Sequence, residues 1–151
     1  MVRVLITGMS GVGKSSLLEV LGEWGQFVID TDYGDWKTSA GIWDARRMDE
    51  ALAGHESVVV SGTAENQGQF YDRFDHVVLL SAPEEVIIER VQNRSTNPYG
   101  SSEEERAEIR GYLRSVEPLL RRGATVEIDA TRPLLDIARE IVRLANAERS
   151  T

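Results

Sequence analysis

Residues 8–15 read Gly8-Met9-Ser10-Gly11-Val12-Gly13-Lys14-Ser15, a run that fits G-x-x-x-x-G-K-[ST]. Glycine tolerates backbone conformations closed to other residues, so such a run can turn tightly and aim successive N–H groups at one point. Those groups attract an anion with several oxygens, and the N-terminus of a following helix adds its own partial positive charge. A lysine at this position reaches the outer phosphates of a nucleotide, and the hydroxyl next to it ligates Mg²⁺. The run therefore points to ATP with Mg²⁺, held by Gly8, Gly11, Val12, Gly13, Lys14, Ser15 and Ser16.

Other features narrow the class. An Asn-Lys-x-Asp base-reading motif, expected of a GTPase, is absent because no lysine follows Lys37. The Asp-Glu that ends a hydrophobic strand in large motor-type ATPases is also missing, since residues 58–60 run into Ser61-Gly62-Thr63. Over nearly its whole length the chain resembles the small P-loop kinases: nucleoside-monophosphate kinases, shikimate kinases and gluconate kinases. Val28-Ile29-Asp30-Thr31-Asp32 is similar to the D-x-D that closes the second strand of shikimate kinases. The resemblance implies that Asp30 supports Mg²⁺ through water and that Asp32 holds the acceptor hydroxyl. A carboxylate facing the γ-phosphate can orient that hydroxyl and take its proton. Capping a helix or closing a turn is the other use of such aspartates.

Arg90 and Arg94 stand four apart, ahead of the turn-rich Ser95-Thr96-Asn97-Pro98-Tyr99-Gly100. They resemble the arginines flanking the mobile lid of nucleoside-monophosphate kinases. That implies Arg90 stacked on adenine, Arg94 at the transferred phosphate, and a lid over about residues 94–101. A guanidinium suits both tasks because it is planar and always charged; a solvated arginine pair is the alternative. Arg106, Arg110 and Arg114 repeat at the same spacing on the next helix, which in these kinases returns arginines to the phosphates. Arg110 is preferred for that role, although the spacing does not separate it from Arg106 and Arg114, and Glu103, Glu104 and Glu105 are close enough to form surface pairs. Thr131-Arg132-Pro133 matches the position of the adenine-contacting loop, so Arg132 joins the nucleotide set; a helix cap explains Thr131 equally well. On the acceptor side, Ser61-Gly62-Thr63 could present backbone amides, with Thr63 and Asn66 as polar contacts, or form a plain strand-ending turn. Trp36, Trp43, Arg46 and Arg47 fall in the same region, as pocket residues or as packing and surface residues. Trp24 reads as core, and His55 and His76 lack partners at metal spacing.

The elements that must carry these residues alternate. Short β-branched runs at residues 2–7, 27–29, 57–60, 77–80 and 125–128 read as buried parallel strands. Helical spacing follows over about 14–24, 42–53, 83–94, 101–122 and 133–145, with glycines or prolines at the boundaries. Alternation of this kind gives a parallel sheet with right-handed crossovers and helices on both faces. The expectation is an α/β, three-layer P-loop NTPase fold with a five-stranded parallel sheet flanked by helices, forming a single domain over residues 1–151.

Composition sets the outer bounds. The formal net charge is −8, with Asp and Glu outnumbering Lys and Arg 25 to 17, which argues against a nucleic-acid partner. The apolar start is too short for a membrane span, and no signal peptide is expected. Without cysteine there is no disulfide framework, which fits a cytoplasmic protein. The partner expected is a small-molecule acceptor bound by a monomer or homodimer: a nucleoside, nucleotide or hydroxylated metabolite that receives the γ-phosphoryl group. An ATP-binding regulatory or interaction protein with little phosphotransfer is the alternative.

Overall fold

The computed structural model describes residues 2–94 and 99–146. β1 (Arg3–Thr7) lies at the centre of a five-stranded parallel sheet, and the glycine-rich loop leaves from its carboxyl end. The loop feeds α1 (Lys14–Glu23), after which the chain forms β2 (Val28–Asp30), α2 (Ala45–Gly54) and β3 (Val58–Ser61). A 3-10 helix (Gln67–Arg73) leads to β4 (His76–Ser81), α3 (Glu84–Asn93), α4 (Glu103–Ser115) and α5 (Glu117–Gly123). β5 (Val126–Asp129) and α6 (Leu134–Asn146) complete the described chain. The strand order is β2-β3-β1-β4-β5, so consecutive strands cross over and the order reverses beside β1. In open parallel sheets such a reversal leaves a crevice beyond the strand ends, the usual place for a ligand.

Strand side chains alternate between the two faces and both faces are covered, which is why the strands read as continuous apolar runs. Val4 and Ile6 of β1 pack with Leu17, Leu18 and Leu21 of α1 and Ile137, Ala138 and Ile141 of α6. Leu5 points the other way, into a second cluster with Trp43, Met48, Leu52 and Phe70. Among the described residues, no helix is long and apolar enough to cross a membrane.

Two expectations are corrected. The helix expected over residues 101–122 is two helices, α4 and α5, that meet at Val116. Pro118 is the reason: it lacks an N–H and its ring would strike the carbonyl four residues back, so it fits only the first turn of a new helix. The start of α4 was legible, since Ser102 and Glu105 form a reciprocal capping box. Trp24 is not core. It follows the last turn of α1, where the chain turns away from the sheet, and is 43% exposed. Trp43 takes the buried role at 1% exposure, with its Nε1 donating to Thr31 Oγ1 at 3.2 Å and its ring centroid 5.8 Å from that of Phe70. Trp43→Ala should therefore cost about 3–5 kcal/mol in urea unfolding, whereas Trp24→Ala should cost less than about 1 kcal/mol.

Candidate functional site

At the end of β1 the backbone turns through Gly13, whose φ of +95° lies in the left-handed region that glycine occupies without strain. Gly13 is also the N-cap of α1 and brings no side chain to its first N–H groups. Lys14, the first residue of the helix, folds back: its Nζ donates to the carbonyls of Gly8 and Met9, the latter at 3.2 Å. Loss of hydration lowers the Lys14 pKa to about 8, against the opposing pull of Asp32 and Asp30.

β2 supplies the acidic wall. Ser15 Oγ donates to one oxygen of Asp30 at 2.9 Å, and the other oxygen accepts the Asp32 N–H at 3.0 Å. Asp32 also pairs with Lys37 at 3.2 Å. In the β2–β3 register Asp30 stands beside Ser61, so both side chains leave the same face of the sheet. Ser61 Oγ is buried without a hydrogen-bond partner. A hydroxyl, a carboxylate and this orphaned hydroxyl form a hard oxygen set suited to Mg²⁺, an ion that keeps several waters and takes few ligands from protein. Among the described residues, no group of three or more His, Asp or Glu is placed to hold a metal ion by itself.

The opposite wall is cationic. Arg90, on α3, donates to Ala130 O at 2.7 Å and to Val12 O at 3.4 Å, joining the glycine loop to the β5–α6 turn. Arg94 follows the last turn of α3 and donates to Ser10 Oγ at 3.2 Å and to Tyr99 O at 2.7 Å. Burial lowers the Arg94 pKa, with Glu105 acting against it. Arg132 stands at the entry to α6 and pairs with Glu140. Between the walls lies a cavity of about 660 Å³, lined by residues 10–17, Asp32, Arg90, Arg94 and Arg132 among others. It can take a polyphosphate along the loop, a cation between Ser15 and Asp30, and a flat group between α3 and α6.

Most of the residues singled out from sequence meet at this cavity. Gly11, Val12, Gly13, Lys14, Ser15, Ser16, Asp32, Arg90, Arg94 and Arg132 line it directly. Gly8 reaches it through Lys14, and Asp30 through Ser15. Arg110 is the exception. It turns toward Glu84 at the start of α3, 3.8 Å away, and is not part of the cavity wall. Arg106 donates to the carbonyls of Gly100 and Ser101. Of the expected lid, residues 95–98 lie outside the described residues, while Arg94, Tyr99, Gly100 and Ser101 lie within them. Thr131 is not the residue next to α6, which begins at Leu134 after Pro133; its hydroxyl and N–H both donate to Asp129 Oδ1, at 2.6 and 2.8 Å. Asn66 holds the Trp43 backbone through both ends of its amide. Arg47 lies 4.9 Å from the centroid of Trp36 and pairs with Asp35, and Arg46 pairs with Glu50.

Sequence reading missed Tyr33, which lines the cavity at 67% exposure, as well as Leu134, Ile137 and Ser61. The spacing of Leu134 and Ile137 places them on one inner face of the last helix, and only the fold shows that this face reaches the cavity. For Ser61 the only clue was a hydroxyl where other P-loop proteins place a carboxylate.

The fold has close parallels among solved structures. The shikimate kinase of Acinetobacter baumannii, solved in complex with shikimate, superposes with a TM-score of 0.71 at 21% identity, covering 95% of this chain and 92% of that one. A gluconokinase from Sinorhizobium meliloti 1021 gives 0.63 at 25% identity, with 95% and 93% covered. The shikimate kinase of Aquifex aeolicus gives 0.66 at 17% identity, with 94% and 95% covered. No curated protein matches the sequence. Residues 4–111 match the AAA domain family, and the chain belongs to that family with the fold of the small P-loop kinases.

Proposed function

We propose that the chain is an ATP-dependent phosphotransferase that moves the γ-phosphoryl group to a hydroxyl of a small molecule. One observation carries this reading: a phosphate-binding loop, a carboxylate and a loop-facing arginine share a single cavity, with Lys14, Asp32 and Arg94 on its walls. Gly8, Gly11, Val12, Gly13 and Ser16 hold the polyphosphate, and Arg90 and Arg132 border the base. Mg²⁺, held by Ser15 and supported by Asp30, neutralises phosphate charge when bound. Asp32 orients the acceptor hydroxyl and takes its proton as the oxygen bonds to the γ-phosphorus and the bridge to the β-phosphate breaks. Lys14 and Arg94 balance the charge on the transferred group, so the chain acts by positioning and electrostatics.

The acceptor side favours a hydroxylated metabolite or nucleoside over a nucleoside monophosphate. An acceptor phosphate needs arginines to hold it, whereas Arg46 and Arg47 are engaged with Glu50, Asp35 and Trp36. The shikimate bound to the Acinetobacter baumannii enzyme is itself a hydroxylated metabolite.

With purified protein, Mg²⁺ and a pooled acceptor panel, ADP release should depend on acceptor. Lys14→Ala should reduce it at least about 100-fold while leaving the circular dichroism spectrum unchanged. ATP binding without acceptor-dependent release across the panel would favour the regulatory reading, and absence of ATP binding would overturn the proposal. Acidity supplies a second test. Below pH 8 Lys14 is already charged in the empty protein; above it, binding must first take up a proton. ATP affinity should therefore be flat below pH 8 and fall about tenfold per pH unit above it. A calorimetric titration series from pH 6.5 to 9.5 reads this directly, and a flat profile would contradict the role given to Lys14.

A further inference from the structure

Two donors share one carbonyl beneath the glycine loop. Gly8 O accepts from Lys14 Nζ and also from Thr63 Oγ1, the latter at 2.7 Å. Gly8 N donates back to the same hydroxyl at 3.4 Å. Thr63 is itself fixed from below: its Oγ1 lies 3.1 Å from Thr7 Oγ1, and buried Gln67 donates to Thr7 Oγ1 at 3.1 Å and to Tyr71 OH at 2.8 Å. Gln67 Oε1 accepts the Ala64 N–H at 2.8 Å, which pins the turn that carries Thr63. Gly62 N donates to Ile6 O at 3.0 Å, so the end of β3 is bound to the end of β1 immediately before this contact.

If Lys14 moves to a phosphate, the carbonyls it now serves lose a donor. A buried carbonyl without a partner is penalised, and that penalty opposes the move. Met9 O keeps the Val12 N–H, at 3.4 Å, and Gly8 O keeps Thr63. We propose that Thr63 is a positioning residue for nucleotide binding: its hydroxyl keeps Gly8 O hydrogen-bonded when Lys14 exchanges the loop carbonyls for phosphate oxygens. This rests on the phosphotransferase reading only in requiring Lys14 to engage phosphate. It gives Thr63 a place under the phosphate loop in contrast to the acceptor contact expected from sequence.

Removing the hydroxyl should weaken phosphate binding and hold Lys14 more firmly on Gly8 O.

The experiment is calorimetric titration of wild type, Thr63→Val and Thr63→Ser with Mg·ATP and with inorganic tripolyphosphate at neutral pH. Thr63→Val should lose about tenfold in affinity for both ligands, and Thr63→Ser should restore it. A Thr63→Val protein with wild-type affinity would overturn the proposal, and so would a Thr63→Ser protein as weak as Thr63→Val, which marks a packing effect of the altered side chain. Should Thr63→Val fail to fold, Thr63→Ala carries the same expectation. Wild-type protein that binds neither ligand would remove the parent reading as well, whereas wild-type binding with an inert Thr63→Val removes this inference only.

Discussion

An ammonium group stripped of much of its water and resting on two backbone carbonyls is the contact around which this molecule is arranged. Lys14 occupies that position on Gly8 and Met9. The geometry is possible only because the loop starts on a central strand, where both flanks are fixed: β1 pairs with β3 on one side and β4 on the other. A loop at a sheet edge would have one such neighbour. Central placement also puts the loop beside the reversal in strand order, so the walls of the cavity come from different parts of the chain. Asp30 and Asp32 arrive through β2, Arg90 and Arg94 through α3, and Arg132 through the turn into α6.

The two walls have opposite signs, and the difference is functional in form. Aspartates on the β2 side raise the Lys14 pKa while desolvation lowers it, which leaves the group near pH 8 instead of fully charged or fully neutral. On the other side, Arg90 and Arg94 are anchored to backbone and hydroxyl oxygens of the protein. Both guanidinium groups are thereby fixed at the cavity wall. The net charge of −8 therefore does not describe the cavity, where Lys14, Arg90, Arg94 and Arg132 stand with Asp32 as the one acidic residue among the described lining residues.

The parts of this arrangement that were legible in sequence are those set by local chemistry. Five apolar runs specified five strands, since a strand covered on both faces leaves an uninterrupted hydrophobic signature. The glycine loop and its lysine were legible because few residue types can make that turn and carry that charge. Tertiary competition hid the rest. Arg106, Arg110 and Arg114 share a spacing, and nothing in the spacing says that Arg110 turns to Glu84 while Arg106 holds the carbonyls of Gly100 and Ser101. Trp24 and Trp43 are chemically equal, and only the path of the chain decides that one is exposed and the other closes the second core cluster. Pro118 was visible as a helix breaker and should have divided the helix before the structure did.

The turn that ends β3 shows why a short polar segment resists assignment from sequence. Ser61 faces the same side of the sheet as Asp30, at the candidate cation site. Gly62 has no room for a side chain, since a Cβ there would lie 1.8 Å from Thr31 Oγ1. That closeness is set by Trp43, whose indole N–H holds the same threonine hydroxyl, while Thr31 Oγ1 donates in turn to Ser61 O at 2.9 Å. Thr63 then turns back to Gly8. Three consecutive residues thus touch the cation site, the acceptor-side turn and the phosphate loop in succession. Thr31 lies between Asp30 and Asp32, so the hydroxyl that Trp43 holds belongs to the segment that carries both carboxylates. Packing around Trp43 and the turn beneath the phosphate loop therefore share one chain of hydrogen bonds, from the indole through Thr31 to Ser61 and, two residues on, from Thr63 to Gly8.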